Sequence, residues 1–465
     1  MEEDLLSRGG DVELGVDRRR WVLCALQLAM GSMQGAGWMV FSASDEATRR
    51  AFGLSGTRGS LVIDWFMNVG TITFVVCLPY FSGVLRRRGA LVGPHRVLTL
   101  AGWHGAVAAS LVRCAAVFLR GSAWGVGLAY VASILNGAAA PGFYFASALA
   151  ELWFPETERF VALAVLAVPG TVGPLLAFGC ALFVETPRDL AVNVYIQAVV
   201  SVGLGGLWVF WAPVHPERPP SAAAARAFGS DDAGGTAKAE ADAALFPRCG
   251  VAVWKLAVAA GASSGFFQAW TDSIADALHG SPRVDESQAQ LLGLVANVGN
   301  LVGGLLVGPL VVALGLQRKL RTVVLGGLGL GLACYGTFAA TMPLGVSAAR
   351  SVLLWPAPFA VLTALVGVAS AAVGSSLPVF YDLAAELSFP DDTPAPSAAA
   401  INYALNGIQV LLLALLAFVP TEAVSVLMTL VSLAAIAFVA TTGTPTYARL
   451  DRDERARDRQ LAVNS

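Results

Sequence analysis

Charge is what this chain has least of. Asp, Glu, Lys and Arg make up 13% of its 465 residues, about half the share of an ordinary soluble domain. So few charges cannot cover a water-facing surface of that size. A net charge of −2 offers no basic face to a nucleic-acid backbone, and no nucleic-acid partner is expected. Histidine is scarce, at four residues. The six cysteines, at 24, 77, 114, 180, 249 and 334, form no CxxC or Cys/His pair, and five lie inside apolar runs. Zinc ligation and a disulfide framework both lack their pattern, which leaves buried packing as the expected role. No nucleophile–base set, metal cluster or phosphate loop occurs, so the chain is not read as an enzyme and no cofactor is expected. "GGLGLGLACYG" (Gly326–Gly336) has the glycines of a dinucleotide loop but sits inside an unbroken apolar run, where small residues serve close helix packing. The opening "MEEDLLSRGGDVELGVDRRR" has no apolar core, so a cleaved leader is not expected.

What the chain has in excess is apolar sequence: 56% of residues are hydrophobic and mean hydropathy is +0.66. A spanning helix needs about 20 mostly apolar residues. Such runs recur at 21–43, 60–84, 96–119, 123–148, 160–184 and 190–213, then at 251–273, 288–314, 322–343, 353–380, 396–419 and 421–441. The expectation is an all-α membrane protein of 12 transmembrane helices in two six-helix halves, 21–213 and 251–441. Residues 1–20 and 442–465 read as tails. Residues 214–250 contain "HPERPPSAAAARAFGSDDAGGTAKAEADAALFPR", rich in Pro, Gly and Ala and short of anything to bury, hence a linker. With the N-terminus inside, the inner segments hold 21 Lys and Arg and the outer ones 7. That places both tails and the linker in the cytosol.

Two stretches echo each other: "PGFYFASALAELWFP" (Pro141–Pro155) and "PVFYDLAAELSFP" (Pro378–Pro390). They fall on the fourth span of each half, as a duplicated half would place them. Two halves related by a parallel repeat are the architecture of the major facilitator superfamily, whose substrate site lies near the midplane between halves.

Several blocks resemble solute carrier family 49, the group of the feline leukaemia virus subgroup C receptor-related and disrupted-in-renal-carcinoma proteins. They are "RRRWVLCALQLAMGSMQGAGWMVFS" in the first span, "LNGAAAPGFYFASALAELWFPETERFVALAV" in the fourth and fifth, "GFFQAWTDSIADAL" in the seventh and "SSLPVFYDLAAELSFPDDTPAPSAAAINYALNG" in the tenth and eleventh. The disrupted-in-renal-carcinoma type is the nearer, by the Gln-Gly-x-x-Trp order and the seventh-span Trp. The chain departs from the superfamily at the Gly-xxx-Asp-Arg-x-Gly loop: in "SGVLRRRG" (Ser82–Gly89) Arg86 takes the Asp position, and in "GPLVVALG" (Gly308–Gly315) Val312 does. The charged latch that this Asp usually forms is therefore missing from both loops.

Polar residues inside lipid are costly and therefore informative. Gln34 and Trp38 share a face of the first span. The resemblance makes the Trp part of an aromatic cage for a cationic or ring-bearing ligand; the alternative is an interfacial Trp beside an interhelical Gln. In the seventh span Phe266 and Trp270 share one stripe, Gln268 and Asp272 the next. By resemblance Phe267, Gln268 and Trp270 fall in the site region, and Gln268 replaces the Tyr of choline-transporting members. Asp272 falls near the outer interface and reads as a solvated mouth. In the eleventh span Asn406 matches the family's polar binding position, and Asn402 lies one turn before it. Asn136, Asn297 and Asn300 read as interhelical contacts.

Glu151 and Glu386, the echoed glutamates, fall near the cytosolic interface, where a gate with Arg159 is expected. Asp382 lies one turn deeper and is a candidate proton carrier. His104 and Arg113 could titrate, bind an anion or pack helices. Pro169-Gly170 and Gly173-Pro174 break the fifth span, a bend that would help rocking, with Pro174 the superfamily position.

The reading is a monomeric transporter in the bilayer, working by alternating access on a small polar organic solute, possible proton coupling included. By resemblance the substrate is choline or ethanolamine, a pyridoxine-like vitamin, or haem. A non-transporting receptor on the same scaffold is the rival. The membrane is the plasma membrane or, from the "EEDLL" near the N-terminus, an endolysosomal one.

Overall fold

A computed structural model describes residues 15–87, 102–141, 146–155, 158, 162, 165–166, 168–212, 216–220, 249–272, 278, 284–341, 357–388, 394–416, 421–443, 445–447 and 451. Arg159 and most of the linker lie outside them, as do the side chains of Asp64, Glu151 and Asp272. Regular structure among the described residues is helical, with no strand.

The apolar runs become helices because only a helix satisfies its own backbone in lipid. Four are long and apolar enough to cross a bilayer unaided: Pro187–Trp211, Ser287–Ala313, Gln317–Thr341 and Phe359–Ser388. Shorter apolar helices include His104–Phe118, Ala123–Ala139 and Pro169–Ala181. Their outer faces carry large apolar groups in the open, such as Phe210 at 90% exposure and Phe183 at 82%. Bare aromatics at that density suit a hydrocarbon solvent.

Helices and expected spans do not match one to one, and helices outnumber the twelve spans. In the fourth span one helix ends at Ala139 and another runs over Ala146–Trp153, whereas the tenth span holds Pro378 inside the continuous Phe359–Ser388. The fifth-span helix starts at Pro169, which lacks an N–H and loses nothing at that position. Between the first two spans an extra helix runs over Asp45–Phe52. Its inner side, Asp45, Ala47, Thr48, Ala51 and Phe52, is buried, and Phe52 meets Phe41 and Phe66 at 5.6 and 6.1 Å. Gly53, at φ 67°, ends it in the left-handed conformation that glycine adopts without strain.

Two compact units form. The first contains residues 1–38, 76–173 and 190–245; the second contains 39–75, 174–189 and 246–465. The core of the first joins Leu23, Met30, Trp103, Leu149, Trp153, Leu166 and Trp208. At its centre Trp103 stacks on Trp208 at 4.3 Å and donates from Nε1 to Gln27 Oε1 at 2.9 Å. The core of the second gathers Val253, Leu256, Val324, Phe380, Leu383, Ile401 and Val439. Residues 174–189 join it through Phe178, whose ring lies on Gly293 of the eighth span.

Candidate functional site

In the first unit the polar residues of the first span meet two neighbours. The Gln34 amide donates to the Asn136 carbonyl at 3.1 Å, and the Asn136 amide donates back to the Gln34 carbonyl at 3.2 Å. Gln34 is thereby fixed to the fourth span. Next to it the backbone at Gly35–Ala36 is met by Gly173 of the fifth span: a Cβ on Gly173 would fall 2.5 Å from Gly35 Cα. Glycine at both places permits this approach. Trp38, one turn on, is half-buried.

In the second unit the seventh span is one helical run, Val251–Asp272, widened to π form over Gly261–Gly265. Such a bulge displaces a carbonyl register and is frequent at functional sites. Here it lets two glycines lie on the eleventh span. A Cβ on Gly261 would come 2.6 Å from the Ala404 carbonyl oxygen, and one on Gly265 would come 2.7 Å from that of Leu405. Between them Ser264 is buried, and its hydroxyl has no hydrogen-bond partner among the described residues.

The other expected site residues fall into two groups. Gln268 and Asn402 are half-buried, and Asn402 Oδ1 accepts from Tyr381 Oη at 3.1 Å. Phe267, Trp270 and Asn406 are buried. Trp270 packs on the ninth span, edge-on to Tyr335 at 5.8 Å and to Phe338 at 6.0 Å, while its indole N–H has no acceptor among the described residues. Asn406 donates to the Asn402 carbonyl at 2.9 Å.

The coupling candidates are scattered. Asp382 and His104 are exposed, and Pro174 lies inside the fifth-span helix. Glu386, one turn on from Asp382, is buried at 4% exposure. The Tyr447 segment approaches it closely enough for the Glu386 charge to act on the phenol. Glu151 lies on the helix Ala146–Trp153.

No known family model matches the chain. Solute carrier family 49 member 4 homologs of Xenopus tropicalis and Xenopus laevis are each 28% identical to it over 242 residues, covering 48% of this chain and 50% of theirs. The chain thus spans about half the length of the curated relatives it matches. The crystal structure of a bacterial homolog of the human lysosomal transporter Spinster, inward-facing and occupied, superposes with a TM-score of 0.53. That match covers 92% of this chain and 98% of the other at 13% identity, a likeness of fold alone. Over about half its length the chain is similar to these solute carrier family 49 member 4 homologs, and it shares the fold of the Spinster homolog. It is a multi-pass membrane protein.

Each unit also holds charged contacts near its chain end that the pattern of spans does not place. Arg20 forms a bidentate pair with Glu158, Nε to Oε2 at 2.8 Å and Nη2 to Oε1 at 3.0 Å. The pair, with the Arg20 guanidinium as the main cause, holds the Glu158 carboxyl below its usual range. Trp21 adds an edge contact to Phe154 at 4.9 Å. Arg19 bonds both oxygens of Asp17 and reaches Glu217 at 3.1 Å, while the Gly15 N–H donates to the Pro219 carbonyl at 3.1 Å. In the second unit Arg318 pairs with Asp451 at 2.6 Å, and the Leu320 N–H donates to Tyr447 Oη at 3.1 Å. Arg321 donates to the Val439 carbonyl at 3.3 Å and also to that of Ala440. The sequence signal was the cluster "DRRR" (Asp17–Arg20), which hydropathy reading counts only as a topology marker.

Proposed function

We propose that this chain is a membrane transporter that moves a small polar organic solute by alternating access, with Trp38 contacting the solute. The observation that supports this is the contrast along the first span: Gln34 is buried and tied to Asn136 by two hydrogen bonds, whereas Trp38 is half-buried. A clamped helix presenting an indole is a pre-set surface for a cation or an aromatic ring. The likeness to solute carrier family 49 and to the Spinster homolog supports transport as the activity. The halves 21–213 and 251–441 would be its moving parts. The solute class by resemblance is a choline- or ethanolamine-like cation or a pyridoxine-like vitamin, taken up across a plasma or endolysosomal membrane. On the second unit Phe267, Gln268, Trp270, Asn402 and Asn406 are the proposed solute-contacting residues.

Counterflow of labelled choline and labelled pyridoxine in proteoliposomes tests the reading. The wild type should exchange one of them, and Trp38→Ala should abolish exchange without changing reconstitution yield. Binding without exchange would make the chain a receptor. Proton coupling through Asp382 and His104 belongs to the same proposal. It requires faster uptake from an acidic donor side, and uptake that stays level from about pH 5 to 8 would remove it.

A further inference from the structure

We infer that Arg113 binds an oxyanion, a carboxylate or phosphate, carried by the transported solute. Arg113 lies on the inward stripe of the third-span helix, among Ala106, Ala109, Ser110, Ala116 and Val117. Only 3% of it is exposed, so it does not reach along the helix to either membrane surface. Its guanidinium lies directly on Gly37 of the first span, in the space a side chain there would occupy. The next residue is Trp38.

The guanidinium has no hydrogen bond or ion pair among the described residues. The polar group one turn before it is committed elsewhere, since the Ser110 hydroxyl bonds the Ala106 carbonyl and Ser201 Oγ. A guanidinium stays protonated under any physiological condition. A structural arginine in a spanning helix normally spends its donors on carbonyls or a carboxylate, because an unsatisfied charge in hydrocarbon is costly. Arg113 has five donors in a planar fork, and among the described residues none of them finds an acceptor. That fork fits a carboxylate or phosphate through two parallel bonds.

The inference deepens the transporter reading and rests on Trp38 facing the solute. It also narrows the solute class. A fixed positive charge against Gly37, the sequence neighbour of Trp38, disfavours a bare cation in a low-dielectric site, so the inferred solute is a zwitterion or an anion, with its cationic or ring part on Trp38 and its oxyanion on Arg113.

The test uses the full chain in phosphatidylcholine vesicles and two probe pairs that differ in a carboxylate: choline against glycine betaine, and pyridoxine against 4-pyridoxic acid. Binding is read from the melting temperature and from inhibition of counterflow. In at least one pair the carboxylate member should bind about tenfold more tightly. Arg113→Gln should erase that preference, and Arg113→Lys, which keeps the charge without the fork, should retain part of it. If Arg113→Gln does not fold, Gly37→Ala supplies the reading, since its methyl must displace the guanidinium and lower the preference. Equal binding within both pairs, a preference that survives Arg113→Gln, or no binding of either carboxylate would overturn the inference. So would stabilisation by phosphatidylglycerol alone, which would make Arg113 a lipid contact. Carboxylate binding that Arg113→Gln erases, without exchange of any solute, would instead remove the transporter reading and leave Arg113 as an oxyanion site for a ligand that is bound and not moved.

Discussion

Gln34 and Asn136 each donate a side-chain amide to the other's main-chain carbonyl, across 102 residues of sequence. The exchange locks the first span to the fourth without a charge. Each such bond inside a bilayer contributes about 0.6–2 kcal/mol.

Asn136→Ala removes one bond of the pair and leaves the Gln34 amide to seek the same carbonyl alone. The expected loss is about 1 kcal/mol of unfolding free energy, read in mild detergent as a lower melting temperature. Gln34→Leu should cost a similar amount, and the double variant less than the sum, because the two share one contact. Full additivity would show that the two bonds are independent.

Gly173 is the second fixed point of the first span. A side chain there would fall 2.5 Å from Gly35 Cα and 2.8 Å from the Ala36 nitrogen, both main-chain atoms that cannot yield. Gly173→Val should therefore abolish folded expression. Gly170→Ala, three residues earlier, meets nothing within 4 Å and should express as the wild type does.

The π segment of the seventh span predicts a similar contrast. Gly265→Ala should force the seventh span off the Leu405 carbonyl and lower the melting temperature. Gly407→Ala, facing open space on the eleventh span, should not. Equal melting temperatures for the two variants would mean that the spans do not lie in this contact.

The pair Arg20–Glu158 carries a pH dependence of definite sign. Hydrogen bonding to Arg20 depresses the Glu158 carboxyl in the folded chain, and Arg19 does the same to Asp17. Their stabilisation is therefore complete above the unfolded carboxylate range, near pH 4–4.5, and fades as pH falls through the lower folded values. Both carboxylates lie near the solvent, so the effect is small. Glu158→Gln should flatten the acid limb of the melting temperature and leave it unchanged in shape above about pH 6.

Hydropathy made the apolar helices legible, since crossing lipid dictates length and composition. The reciprocal bond of Gln34 was open in the sequence as one of two alternatives. What the sequence hid follows a physical pattern. Asp45–Phe52 looks like a loop because it is short and half charged, with Asp45 and Glu46 in its first turn and Arg49 and Arg50 in its last. The orientation of Trp270 was not legible either. Its helix is apolar around most of its circumference, so nothing in the pattern separates the side toward Tyr335 from any other. Arg20–Glu158 joins residues 138 apart, and a charge cluster alone does not say which distant carboxylate it will choose. The segment carrying Tyr447 lies close to Glu386, a proximity that no span-by-span reading contains.

The two tails offer handles for spectroscopy. The Gly15 N–H donates to the Pro219 carbonyl and Asp451 pairs with Arg318, so the chain at these two positions is held to its own unit. A paramagnetic or fluorescent tag next to Asp17 would ride with the first unit, and one next to Asp451 with the second. The separation of such tags would act as a ruler for domain motion, with none of the slack that a loose terminus introduces.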